Sequence, residues 1–96
     1  MIVSFGDWET EELYHGIIGG NTRKLPPDIL RIALRKLDMI NAADSLRNLR
    51  SPPGNRLEAL AGDLAGFHSI RINQRWRIVF RWTGSDAERV RITDYH

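Results

Sequence analysis

The sequence predicts an α+β domain in which N-terminal helices cover one face of a twisted antiparallel sheet. Three observations predict it. Apolar residues at helical spacing are confined to the first half of the 96-residue chain. From residue 56 onward the apolar period becomes two. Turn-forming segments then recur, so that consecutive strands form a meander.

The elements follow in order. Residues 2–5 (IVSF) are apolar and β-branched, and suit an initial strand. Asp7 caps a short helix to about His15, with acids in the first turn where the helix dipole favours them. Residues 16–27 (GIIGGNTRKLPP) form a loop marked by glycine and proline. Residues 28 to about 43 are the clearest helix: Leu30, Leu34 and Leu37 repeat at helical spacing, flanked by Ile29, Ala33 and Ile40. Lys24, Arg31 and Arg35 fall near or on its wet side. Residues 51–55 (SPPGN) stop any further helix. Residues 56–60 (RLEAL) are a candidate strand, and residues 62–66 and 83–88 (TGSDAE) are turns.

A single strand over residues 68–82 would span roughly 50 Å, too long for so small a domain, and must fold into a hairpin. A two-residue loop would set Ile72 opposite Arg75 and mix the faces. A three-residue loop, Asn73-Gln74-Arg75, pairs Ile72 with Trp76, Ile70 with Ile78 and Arg71 with Arg77, and keeps them clean. Asn73 suits it through tolerance of left-handed backbone. Trp76, Trp82 and His68 then share the core face, with His68 a satisfied core histidine opposite Phe80. Among the aromatics Trp8 is the first candidate for exposure, with packing the default.

Composition narrows the function classes. Hydrophobic residues make up 42% and charged residues 27%, which is too apolar for disorder and fits one globular domain spanning residues 1–96. No cysteine is present, so disulfides and thiolate metal sites are excluded. The N-terminus has no signal-peptide pattern and no apolar run approaches a membrane span, so a cytoplasmic protein without membrane contact is expected.

The other hairpin face is unusual. Arg71, Arg75, Arg77 and Arg81 alternate with the apolar positions, and no acid stands among them. Arg89 and Arg91 continue the alternation on the last strand, with Val90 and Ile92 turned inward and Tyr95 on the arginine side. Like charges directly opposite destabilise a sheet by up to about 1 kcal/mol, so folding alone gives no reason to pair Arg71 with Arg77 on a solvent face. An anion between them reverses the sign, and a phosphate matches the arginine fork. A polar face that merely aids solubility is the alternative.

Leu57, Leu60, Gly62, Asp63, Gly66, Ser69, Ile70, Asn73, Trp76, Arg77, Ile78, Phe80, Trp82 and the terminal Asp94-Tyr95-His96 carry a further signal. Together they resemble HigB-type toxins, the plasmid maintenance system killer proteins of the RelE/ParE superfamily. The resemblance implies helices against a twisted antiparallel sheet. It also implies a metal-independent endoribonuclease that cuts mRNA in the ribosomal A site. The implied partners are the ribosome, mRNA and a HigA-type helix-turn-helix antitoxin, with DNA reached only through that antitoxin and no cofactor.

Cleavage at a 2′-hydroxyl needs a base, cations for the phosphorane and an acid for the leaving oxygen. Arg77 by family position, and Arg71 by parity, are the expected phosphate cations. Asp94, Tyr95 and His96 match a terminus that contributes to the family's active site. Glu58 stands where some members carry a histidine; it is expected on the arginine side, as base or as salt-bridge partner of Arg71 or Arg77. Arg75, Arg81, Arg89, Arg91, Lys24, Arg31 and Arg35 are the expected RNA contacts. A gyrase-directed toxin on the same fold, and a catalytically silent RNA- or antitoxin-binding module, are the competing functions.

Overall fold

In a computed structural model, residues 1–16, 25–51 and 53–94 are described. Helix α1 is Trp8–Tyr14, α2 is Pro27–Ala42 and α3 is Leu46–Arg50. The strands are β1 (Glu58–Ala59), β2 (Phe67–Arg71), β3 (Trp76–Thr83) and β4 (Asp86–Asp94), in one antiparallel sheet ordered β1-β2-β3-β4.

Helix α1 starts because the Asp7 carboxylate accepts from the Thr10 amide at 2.8 Å, satisfying one of the orphan amides of the first turn. Thr10 is itself buried, and its hydroxyl accepts from the Ile92 amide at 3.0 Å, which ties α1 to β4. Helix α2 begins with Pro27, whose missing amide costs nothing at that position. It lays Ala33, Leu37 and Ile40 on the sheet. Helix α3 was not predicted by the apolar spacing. It is a five-residue turn whose start is fixed by the Asn48 side chain, which accepts from the Asp44 and Ser45 amides at 2.9 and 3.1 Å.

The core is one cluster: Leu13 of α1, the α2 stripe and Leu49 of α3 against Ile70, Ile72, Ile78, Phe80, Ala87 and Val90 of the sheet. Trp76 and Trp82 pack against its edge, as parity predicts, and Trp8 on α1 is exposed. Burying side chains of this size stabilises by about 1.5–3 kcal/mol each.

The hairpin register is the one that keeps the faces clean: Ile70 opposes Ile78, Arg71 opposes Arg77, and the Ile72 amide donates to the Trp76 carbonyl at 2.9 Å. The role of Asn73 differs from expectation. Among the described residues only Arg56 and Arg89 combine a side chain with positive φ. Asn73 instead uses its carbonyl oxygen to accept from the Arg75 and Trp76 amides at 2.9 and 2.7 Å, a side-chain substitute for backbone turn bonds.

Two further expectations change at β4. Residues 2–5 form two isolated parallel bridges, Ile2 with Ala87 and Phe5 with Val90, rather than a continuous strand. The cause is a β-bulge opposite Val79 to Arg81, where Arg89 takes φ +54°. Ala87 and Val90 both remain in the core, three positions apart, so the ladder on that edge is interrupted between them. The turn between β3 and β4 is also tighter than residues 83–88, because only Gly84 and Ser85 lie outside strands. Strand β1 is likewise shorter than residues 56–60, since Arg56 leaves extended geometry at φ +44°.

Candidate active site: the arginine face of the sheet

Strand pairing sets the site. Arg71 and Arg77 are direct cross-strand partners, Glu58 opposes Ser69, and Val79 lies between Ser69 and Arg91 in the ladder. Arg71, Arg77, Glu58, Ser69 and Arg91 therefore share the sheet face opposite the helices.

The expectation of a solvent face is corrected by Arg77, which is only 7% exposed. Its burial is made tolerable by polar partners. Nε donates to the Ser69 hydroxyl at 2.9 Å, Nη2 donates to the Arg56 carbonyl at 2.8 Å, and Glu58 Oε1 lies 3.8 Å from Nη2. A buried cation needs such hydrogen bonds and a counter-charge, since removing either leaves it uncompensated. The positive φ of Arg56, a costly conformation for a residue with a side chain, is the backbone feature that accompanies its carbonyl's bond to Arg77. Ser69 and Arg56 went unrecognised as site residues in the sequence. A serine at an arginine-side strand position, opposite Glu58, is the signal for Ser69; Arg56 has none.

Arg71 is half-buried and donates through Nε to the Asn73 carbonyl at 3.0 Å. Lys36 was also missed. It belongs to the buried side of α2, and its ammonium donates to the Arg71 carbonyl at 2.6 Å. Its pKa is lowered, first by burial and then by the charges of Arg35, Arg71 and Arg77. Several cations thus converge where β2 ends, a field that favours an anion.

Arg75 and Asp94 stand apart from this cluster. Asp94 opposes Trp76 and so projects from the apolar side of the sheet, not with Arg77. Arg75 grips it with both fork nitrogens: Nε to Oδ1 and Oδ2 at 3.0 and 2.9 Å, and Nη2 to Oδ2 at 2.7 Å. The same guanidinium lies 5.3 Å from the centre of the Trp76 ring. Arg75's pKa is raised by the Asp94 hydrogen bonds. Parity had counted Arg75 with the arginine row, but it sits in the loop, where alternation stops.

Arg81 pairs with Glu88 at 3.7 Å, an acid that the bulge brings onto the arginine side. Arg89 is the correction to the expected alternation: as the bulge residue it leaves the row, and its amide donates to Ser4 Oγ at 2.9 Å. Arg31 and Arg35 are exposed on α2, which packs on the opposite face. Lys24, Tyr95 and His96 lie outside the described residues.

His68 also departs from expectation. It opposes Phe80 and stacks on it at 6.3 Å, but its Nδ1 is buried without a hydrogen-bond partner, and burial lowers its pKa. It lines a cleft of about 320 Å³ with Leu46, Arg47, Arg50, Leu57 and Ala59. Among the described residues no group of three or more His, Asp or Glu is placed to hold a metal, and no helix is long and apolar enough to cross a membrane.

Small helices on one side of a four-stranded antiparallel sheet make an α+β fold. A YoeB/ParE toxin from Agrobacterium tumefaciens shares it, with a TM-score of 0.56 and 21% identity, covering 99% of this chain and 98% of that one. Sequence comparison is more specific. The model of the RelE-like toxin of the type II toxin-antitoxin system HigB matches residues 4–96. Toxin HigB-1 of Vibrio cholerae is 39% identical over 87 residues, which is 91% of this chain and 90% of the relative. An uncharacterized protein of Haemophilus influenzae is 35% identical over 69 residues, 72% of this chain and 68% of the relative. The chain belongs to the HigB-like toxin family of type II toxin-antitoxin systems, and an antitoxin is its implied partner.

Proposed function

We propose that this toxin is a single-domain, cytoplasmic, metal-independent endoribonuclease that cuts mRNA on the ribosome and is neutralised by a HigA-type helix-turn-helix antitoxin. DNA contact then arises only through the antitoxin. The observation that supports it most is the direct pairing of Arg71 with Arg77, the latter locked by Ser69 and Arg56 beside Glu58.

The chemistry follows from that geometry. A scissile phosphate over Arg71 and Arg77 gains charge-assisted hydrogen bonds, which strengthen as the phosphorane gains charge. Arg77 is held before substrate arrives, so little reorganisation is needed. Glu58, half-exposed beside Arg77, is the candidate to receive the 2′-hydroxyl proton or to hold Arg77 in place. Tyr95 and His96 are assigned the acid role toward the leaving 5′ oxygen. Arg91 and, at the rim, Arg81 extend the cationic track for neighbouring phosphates.

The test is induction of the chain in cells with mapping of mRNA 5′ ends. Codon-phased cuts that disappear in Arg77→Ala, with the variant still folded, are expected. Growth arrest without such cuts contradicts the reading. Trapped gyrase complexes would point to a gyrase-directed toxin instead. Glu58 in the place of a stronger base favours one second reading, a silent RNA-binding module, for which salt-dependent RNA binding without cleavage is the mark.

A further inference from the structure

We propose that Lys36 is a positioning residue for the phosphate site: from the helix layer it holds the corner of β2, and so sets where the Arg71 guanidinium meets a nucleotide phosphate. This rests on the reading of Arg71 and Arg77 as a phosphate site.

Helix α2 buries Ala33, Lys36, Leu37 and Ile40, the i, i+3, i+4, i+7 stripe of an amphipathic helix with a cation in its second place. Lys36 is only 8% exposed. Folding alone accounts poorly for it. An apolar side chain of the same length would fill the position without the cost of taking an ammonium out of water. Burial, and then the charges of Arg35, Arg71 and Arg77, lower its pKa, so the charged form is penalised where it stands.

What offsets that cost is visible at the Arg71 carbonyl. The Ile72 amide donates to the Trp76 carbonyl, which makes Ile72 and Trp76 a hydrogen-bonded pair. Arg71, one residue earlier, therefore turns its own carbonyl away from β3, toward the side of β1. Strand β1 pairs with Ser69 and His68 and stops short of Arg71. Lys36 fills that place, its ammonium donating to the Arg71 carbonyl at 2.6 Å. The Arg71 side chain is tied to the same corner, since its Nε donates to the Asn73 carbonyl at 3.0 Å. One bond from α2 thus holds the main chain from which the Arg71 fork springs. Arg77 differs, because Ser69 and Arg56 hold its guanidinium directly. Lys36 comes from the layer packed on the opposite face, so it acts on a phosphate through Arg71 and not by touching it.

The experiment uses the purified full chain and an uncleavable 2′-O-methyl triribonucleotide, with NMR of the arginine Nε–H groups and thermal melts at neutral pH. Lys36→Met should weaken trinucleotide binding by about fivefold and leave the melting temperature level or higher. Lys36→Leu, also without a donor, should behave alike. Solvent exchange of the Arg71 Nε–H should quicken severalfold, while that of Arg77 holds. In an Arg71→Ala background, adding Lys36→Met should change affinity by less than about twofold, because the same interaction cannot be lost twice.

Full trinucleotide affinity in Lys36→Met, with or without a lower melting temperature, would overturn the proposal and leave Lys36 a plain core residue. An undiminished further loss in the Arg71→Ala background would overturn it in favour of a direct phosphate contact. Unchanged exchange at the Arg71 Nε–H would overturn it without reference to binding. If the wild type binds no trinucleotide, the phosphate-site reading fails, while the exchange measurement still decides whether Lys36 sets Arg71.

Discussion

On one face of the β2–β3 hairpin Ile70 and Ile78 lie side by side, both fully buried; on the other Arg71 and Arg77 lie side by side, and Arg77 is almost as buried at 7% exposure. The apolar pair is held by non-directional burial against α2, and any neighbour of suitable volume would serve. The arginine pair depends on particular atoms: a hydroxyl on the adjacent strand, a carbonyl turned inward at Arg56, a carboxylate on β1. The difference teaches that one face carries the stability and the other carries arranged charge. Substitutions should separate the two.

The largest effect is expected on the apolar face. Phe80→Ala removes the largest fully buried side chain among the described residues and should lower unfolding free energy by about 3–5 kcal/mol in urea denaturation, enough to unfold a marginal domain. A loss under about 1 kcal/mol would show that the core is not where the stability lies.

Arg77→Ala comes next, with the opposite signature. It leaves Ser69 and the Arg56 carbonyl without their donor, so a stability loss of about 1–3 kcal/mol is expected. Cleavage, though, should fall by about a hundredfold or more, as for loss of one oxyanion donor. Arg77→Lys should recover stability better than activity, because an ammonium has no fork.

Lys36→Met sharpens the comparison where the faces meet. Because the Lys36 pKa is lowered in the folded chain, the unfolded chain binds the extra proton between the folded value and the ordinary lysine value. Stability should therefore rise as pH climbs through that alkaline window, and the rise should vanish in Lys36→Met. A rise that persists in the variant assigns it to other groups.

His68 gives the acidic counterpart. Its lowered pKa means that, below the ordinary imidazole range, the unfolded chain takes up a proton that the folded chain resists. Stability should decline as pH falls through 6.5 toward the folded value, and His68→Phe should flatten that decline in pH-dependent thermal melts. The smallest effect belongs to Arg81→Gln, which removes an exposed pair and should shift stability by less than about 1 kcal/mol.

The apolar face was legible in the sequence because one rule, alternation, decides it. Ile70, Ile72, Ile78 and Phe80 follow from counting, and the three-residue loop follows from refusing to mix faces. Counting also placed Arg71 beside Arg77. It did not give depth, since burial of a cation depends on Arg56, twenty-one residues earlier, turning its carbonyl inward. Nor did it give the bulge. Val90 and Ile92 sit inward as alternation demands, but one inserted residue, Arg89, leaves the row and brings Glu88 opposite Arg81. The short α3 escaped because its start is set by Asn48 hydrogen bonds rather than by an apolar stripe.

The account stands on Arg71 and Arg77 together forming a phosphate site. Titration of an uncleavable 2′-O-methyl triribonucleotide into the purified chain over a range of salt tests this most directly. Arg71→Ala and Arg77→Ala should each weaken binding and lower the salt slope by about 0.7 relative to wild type. Wild-type affinity and slope in Arg77→Ala would contradict it.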